Sequence, residues 1–142
     1  MVAAAAAGTP GPLSSTVRLA VAPAATALDR LVQPLLSRQP PDASGAAMLG
    51  EGVAAFVARA QAARVAERSL DVQYYIWHDD VTGRLLAREL WMAAKRGVRV
   101  RLLLDDNGIS GLDPDLAALN ALPTVEVRLF NPFILRRPKA LG

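Results

Sequence analysis

The sequence predicts an α/β fold, with a parallel or mixed sheet and helices on both faces. Three observations carry that prediction. From residue 53 onward, helix-patterned and strand-patterned runs alternate in the order α-β-α-β-α-β. Each run between strands is long enough to hold a helix, so successive strands run parallel through right-handed crossovers. The middle strand ends in an unbroken apolar run, Leu102-Leu103-Leu104, as in a strand covered on both faces. About three strands are written, so the sheet is a short one.

Residues 1–24 read as a flexible leader rich in Ala, Pro and Gly, its apolar runs broken by Pro10, Pro12 and Pro23. Residues 25–52 read as an N-terminal extension and linker. Its first part, 25–37, predicts a short helix interrupted at Pro34, and Pro40, Pro41 and Gly45 make the rest a connecting stretch. The domain proper then occupies 53–142. Residues 53–68 hold strong helix formers and neither Pro nor Gly. Residues 70–77 read as a strand, with Leu70, Val72, Tyr74 and Ile76 on one side and Asp71, Gln73, Tyr75 and Trp77 on the other. A helix follows over 83–96, capped by Asp80 or Thr82, with Leu86, Leu90, Ala93 and Ala94 as its buried stripe. Gly97 suits a left-handed stop. Residues 98–106 form the second strand. Residues 113–122 form a helix with Asp113 as cap and Pro114 in the first turn, and 125–130 form the third strand.

The chain has 142 residues, of which 52% are hydrophobic, enough for a core. Sixteen basic residues against 13 acidic ones give a net charge of +3, compatible with an anionic surface or a phosphate substrate but demanding neither. There is no cysteine, which excludes disulfides, thiolate catalysis and Cys-based zinc sites. No run of about 18 uncharged apolar residues is present, so no transmembrane helix is expected. The N-terminus lacks a basic segment, which argues against a signal peptide.

Ligands of such a sheet bind at the carboxyl ends of the strands. Two polar loops leave that rim, "HDDVTG" (78–83) and "DDNGISG" (105–111). They carry His78, the only histidine, with Asp79, Asp80, Asp105, Asp106 and Asn107. His78 is either a catalytic base or nucleophile or a turn residue. The Asp105–Asp106 pair is either a divalent-cation site or an ordinary loop sequence. Arg99, Arg101 and Arg128 alternate with apolar residues and can pair with Asp71 and Glu126, which argues against a nucleic-acid patch. On the 83–96 helix, Arg84, Arg88, Trp91 and Lys95 share one face, opposite Leu86 and Leu90. That face is either a membrane-interface anchor or packs under another part of the protein.

The stretch "SLDVQYYIWHDDVTGRLLARELWMAAKRGVRVRLLLDDNGISGLD" (69–113), followed by "VEVRLFNPF" (125–133), resembles the phospholipase D superfamily, and within it the bacterial cardiolipin synthases. Ser44, Gly45, Leu49, Gly52, Ala55, Phe56 and Arg59 resemble the approach to the first domain of that family, so the likeness covers about residues 25–138. The resemblance implies phosphodiester chemistry through two copies of a His-x-Lys motif, each followed by Asp after four intervening residues. One histidine attacks phosphorus, the other protonates the leaving alkoxide, and the lysines stabilise charge on the phosphoryl oxygens. In cardiolipin synthases the resolving alcohol belongs to phosphatidylglycerol, so the reaction is phosphatidyl transfer.

Measured against that motif, His78 fails. Asp80 stands where lysine is required, and Leu85 where the aspartate should fall. The first catalytic motif of the family follows the "FNPF" segment, and the sequence ends at Gly142 before it. The resemblance therefore implies the N-terminal part of a phosphatidyltransferase, inactive alone. No catalytic, cofactor-binding or metal-binding residue is assigned, and no cofactor. The expected partners are anionic phospholipids at a membrane surface and the missing C-terminal part of the enzyme, with no nucleic acid. The expected location is the bacterial cytoplasm, peripheral at the inner membrane. The alternatives are a non-catalytic phospholipid- or partner-binding module of the same fold, or a fragment of a related phosphodiesterase such as a nuclease.

Overall fold

In the computed structural model, residues 25–132 are described, and the leader 1–24 and the stretch from 133 to 142 lie outside them. The elements are α1 (Ala27–Leu36), α2 (Gly52–Val65), β1 (Ser69–Tyr74), α3 (Val81–Lys95), β2 (Arg99–Asp105), α4 (Asp113–Asn120) and β3 (Val125–Phe130), with a 3₁₀ turn at Asp106–Gly108 after β2. The three strands form one parallel sheet in the order β1-β2-β3. The α/β class and the parallel sheet are those the sequence predicts.

The register explains the two faces of the sheet. Leu70, Val72 and Tyr74 of β1 stand beside Val100, Leu102 and Leu104 of β2, which stand beside Val125, Val127 and Leu129 of β3. This apolar face packs against Leu86, Leu90 and Ala93 of α3, Leu116 and Leu119 of α4, and Ala63 of α2. Leu90, Leu102 and Leu104 are fully buried, each contributing about 1.5–3 kcal/mol of burial free energy. On the other face Asp71, Arg101 and Glu126 lie in one row across the three strands. Arg101 binds both oxygens of Asp71, and Arg128 binds Glu126, the pairing that the alternation of charge predicts. The helices that share the buried core all lie on the apolar face, and α1 buries none of its residues. Among the described residues, therefore, packed helices cover one face, and the second face presents charged rungs.

Several boundaries differ from the sequence prediction, each for a local reason. Helix α1 runs through Pro34 to Leu36 rather than breaking there. The proline removes only the amide that would bond back to Arg30, and the helix ends within a turn in any case. At its start, Thr26 and Asp29 form a reciprocal capping box. Helix α2 begins at Gly52 and stops at Val65, three residues short of the predicted 68. One Arg96 amino group donates to the carbonyls of Ala63, Arg64 and Ala66, which holds the end of α2 and lets Ala66 turn extended. Strand β1 ends at Tyr74, not at 77. Beyond it the alternation fails: Ile76 is exposed and Trp77 is only 5% exposed. Helix α3 starts at Val81, and Asp80, not Thr82, is its cap. The α4 cap position is Leu112 without a side-chain bond, and Asp113 is the first helical residue. Gly97 has φ +90, the left-handed stop that the sequence predicts.

Candidate functional site

The parallel strands bring the two polar loops together at their carboxyl ends. The Trp77 amide donates to the Gly108 carbonyl at 2.9 Å, which ties the loop after β1 to the turn after β2. Two glycines make this approach possible. A Cβ on Gly83 would lie 2.1 Å from the His78 carbonyl oxygen and 2.9 Å from the Trp77 indole nitrogen. A Cβ on Gly108 would lie 2.3 Å from the Tyr75 carbonyl oxygen. The Trp77 ring meets Tyr74 edge-on, with centroids 4.9 Å apart, and the Arg59 guanidinium sits 5.9 Å from the Tyr74 ring centre.

The acidic residues of the rim are occupied by the fold. Asp80 accepts from the Gly83 amide and the Thr82 hydroxyl, both at 2.8 Å, and so begins α3. The Gly83 amide is the main reason its carboxyl lies below the ordinary aspartate range. Asp79 is held by two bonds from Arg84, which lower its carboxyl in the same way. Asp105 is buried and accepts from the Asn107 amide at 2.9 Å and from the Asn131 side chain at 3.4 Å. Asp106 is buried in the 3₁₀ turn, and Asn107 is exposed. His78 is exposed, two places before the capping Asp80. Among the described residues, no group of three or more His, Cys, Asp or Glu side chains is placed to hold a metal ion.

Two openings flank this rim. A cleft of about 130 Å³ lies between α2 and the 75–83 loop, bounded by Phe56, Arg59, Trp77 and His78. A groove of about 380 Å³ follows the free edge of β1 under α2, between Ala63 and Val72. The first is smaller than the roughly 300–1,000 Å³ of a small-molecule site. The second is apolar and carries Arg59 and Asp71 at its border. In the first, the Thr82 hydroxyl meets Asp80, but through the same carboxylate oxygen that takes the Gly83 amide and caps α3.

Sequence reasoning missed three residues that build this region. Asn131, with φ 49, reaches back from the end of β3 to Asp105. Arg96 closes the end of α2. Glu89 is buried within α3 and takes two bonds from Arg64 of α2, at 2.8 and 3.0 Å. Only Glu89 left a signal in the sequence, as the one acid among the six basic residues between 84 and 101.

The comparisons with known proteins say what this parallel α/β layer, its strand ends braced by caps and glycine contacts, is related to. They bear out the resemblance to the phospholipase D superfamily read from the sequence. The particular relative is cardiolipin synthase C of Escherichia coli (strain K12), to which the chain is 56% identical over 111 residues, 78% of this chain and 23% of that protein. Two uncharacterized proteins of Helicobacter pylori, from strains ATCC 700392 / 26695 and J99, are each 39% identical over 99 residues, 70% of this chain and 20% of theirs. The chain thus spans about a fifth to a quarter of the length of these relatives. No family model matches it. The solved structure of TrmBL2, an archaeal chromatin protein, superposes at a TM-score of 0.44 with 19% identity, over 75% of this chain and 42% of that one, and bears on nothing further.

Proposed function

We propose that this chain is the N-terminal part of the first domain of a phospholipase D-like phosphatidyltransferase of the cardiolipin synthase type, and that it is inactive alone. In this reading residues 1–24 are a leader, 25–52 an extension and linker, and 53–142 the start of the domain. The observation that carries it is the 56% identity to cardiolipin synthase C over 111 residues. The rim geometry supports it from the other side. Asp79, Asp80 and Asp105 each serve a turn, a cap or an ion pair, and His78 has Asp80 where the chemistry needs a lysine.

The chemistry belongs to the His-x-Lys motifs expected downstream. One histidine would attack phosphorus and displace a lipid alkoxide, which the second histidine protonates. The hydroxyl of phosphatidylglycerol would then take the phosphatidyl group and release the first histidine. The role of the present segment is to supply the first strands and the braced rim against which those motifs are set. Among the described residues no helix is long and apolar enough to cross a membrane. The proposed location is peripheral, on the cytoplasmic side of a bacterial inner membrane.

The test is the DNA that follows codon 142. The reading expects a frame encoding His-x-Lys with aspartate after four intervening residues, directly or behind a frameshift. Unrelated sequence after a stop codon would overturn it and leave a non-catalytic module of the same fold.

A further inference from the structure

We propose that the outward face of α3 is a docking surface for an anionic lipid bilayer. This deepens the phosphatidyltransferase reading by naming the surface through which the chain meets its lipid. The inward side of α3 is settled: Leu86, Glu89, Leu90, Ala93 and Ala94 are buried against the sheet and α2. The outward side carries two kinds of residue. Val81, Leu85, Trp91 and Met92 are large apolar groups left exposed, Trp91 at 37%. Arg84, Arg88 and Lys95 lie among them and are exposed as well.

The local acids cancel only part of this charge. Glu89 is buried and pairs with Arg64 at 2.8 Å and with Arg88 at 3.5 Å. Asp79 pairs with Arg84 at the N-terminal end, and Asp115 of α4 also faces Arg84. The C-terminal two turns, with Arg88, Trp91, Met92 and Lys95, are therefore net positive.

Charge complementarity selects the occupant. A protein partner that buried this face would have to desolvate Lys95 and the Arg88–Glu89 pair and set acidic groups against their net positive charge. A bilayer interface satisfies both requirements together. Lipid phosphates take the cations, while the indole and the Leu85 and Met92 side chains enter the boundary with the acyl chains.

The experiment uses the 142-residue chain and vesicles of phosphatidylglycerol with brominated acyl chains. Trp77 is enclosed in the core, so quenching by bromine reports Trp91 in the unaltered protein. The expected result is quenching and a blue shift with phosphatidylglycerol, absent with phosphatidylcholine alone and weakened by added salt. The double substitution Arg88→Glu and Lys95→Glu, with an unchanged circular dichroism spectrum, should lower vesicle affinity at least about tenfold. Unchanged emission with phosphatidylglycerol, or binding without quenching, would overturn the proposal. So would a blue emission before vesicles are added that reddens on dilution, because the face would then be buried between copies of the chain. Phosphatidyl transfer, measured or absent in the same samples, bears on the reading of function and not on this one.

Discussion

At the residue scale, the rim depends on two close approaches and on one buried carboxylate. Gly83→Ala places a methyl group against the His78 carbonyl and the Trp77 indole, neither of which has room to move. The expected loss is about 1–3 kcal/mol, the range for strain in a packed site, read as a lower urea midpoint. A midpoint unchanged by the alanine would mean that the loop does not pack as described. Glu89 lies below the ordinary glutamate value of 4.5, chiefly because Arg64 bonds to its charged form. Its folded pKa is depressed, so the stability it contributes is present above about pH 4.5 and is lost as pH falls through the lower folded value. Glu89→Gln should cost about 1 kcal/mol at neutral pH, a modest figure because the Arg64 side chain is half exposed. The variant should also flatten the fall of stability below pH 4.5 in thermal melts. His78 stands out in the sequence as the only histidine, and Asp80 two places on is what sets it apart from the His-x-Lys pattern. Asn131 and Arg96 were not legible, since their partners lie 26 residues or more away in sequence.

At the element scale, β3 and the core stripe of α3 stand where their patterns put them, because a run of alternating or helically spaced apolar residues names its own buried side. The end of β1 does not. Tyr75, Ile76 and Trp77 are strong strand formers, and the pattern continues through them. What stops the strand is the bond from the Trp77 amide to Gly108 and the space that Gly83 leaves for the indole, both set by tertiary contacts. The start of α3 is a local matter. Asp80→Ala removes the acceptor for the Gly83 amide and should lower stability, read as a lower thermal midpoint. Asp80→Asn, which keeps a capping oxygen, should recover most of it. An equal loss in both variants would assign the effect to charge and not to the cap.

At the scale of the whole molecule, among the described residues the sheet leaves the outer edges of β1 and β3 unpaired and one face without packed helices. The apolar groove along β1 lies at the edge of that strand opposite β2, which no described strand pairs. Unpaired parallel edges invite pairing with other chains. The chain alone should therefore associate as its concentration rises, seen as a growing hydrodynamic radius by light scattering. A sharp, dispersed amide spectrum from a monomer at high concentration would contradict that. The sequence revealed the parallel order but not which face would stay open, because a run such as Leu102-Leu103-Leu104 looks alike whether or not a second layer covers it. The central claim of the proposed function is that this chain does not carry out phosphodiester chemistry by itself, and the most direct measurement is turnover by the chain itself. The purified 142-residue chain, given phosphatidylglycerol and phosphatidylethanolamine, should form neither cardiolipin nor phosphatidic acid. Turnover abolished by His78→Ala would contradict the account, because it would make His78 a catalyst after all.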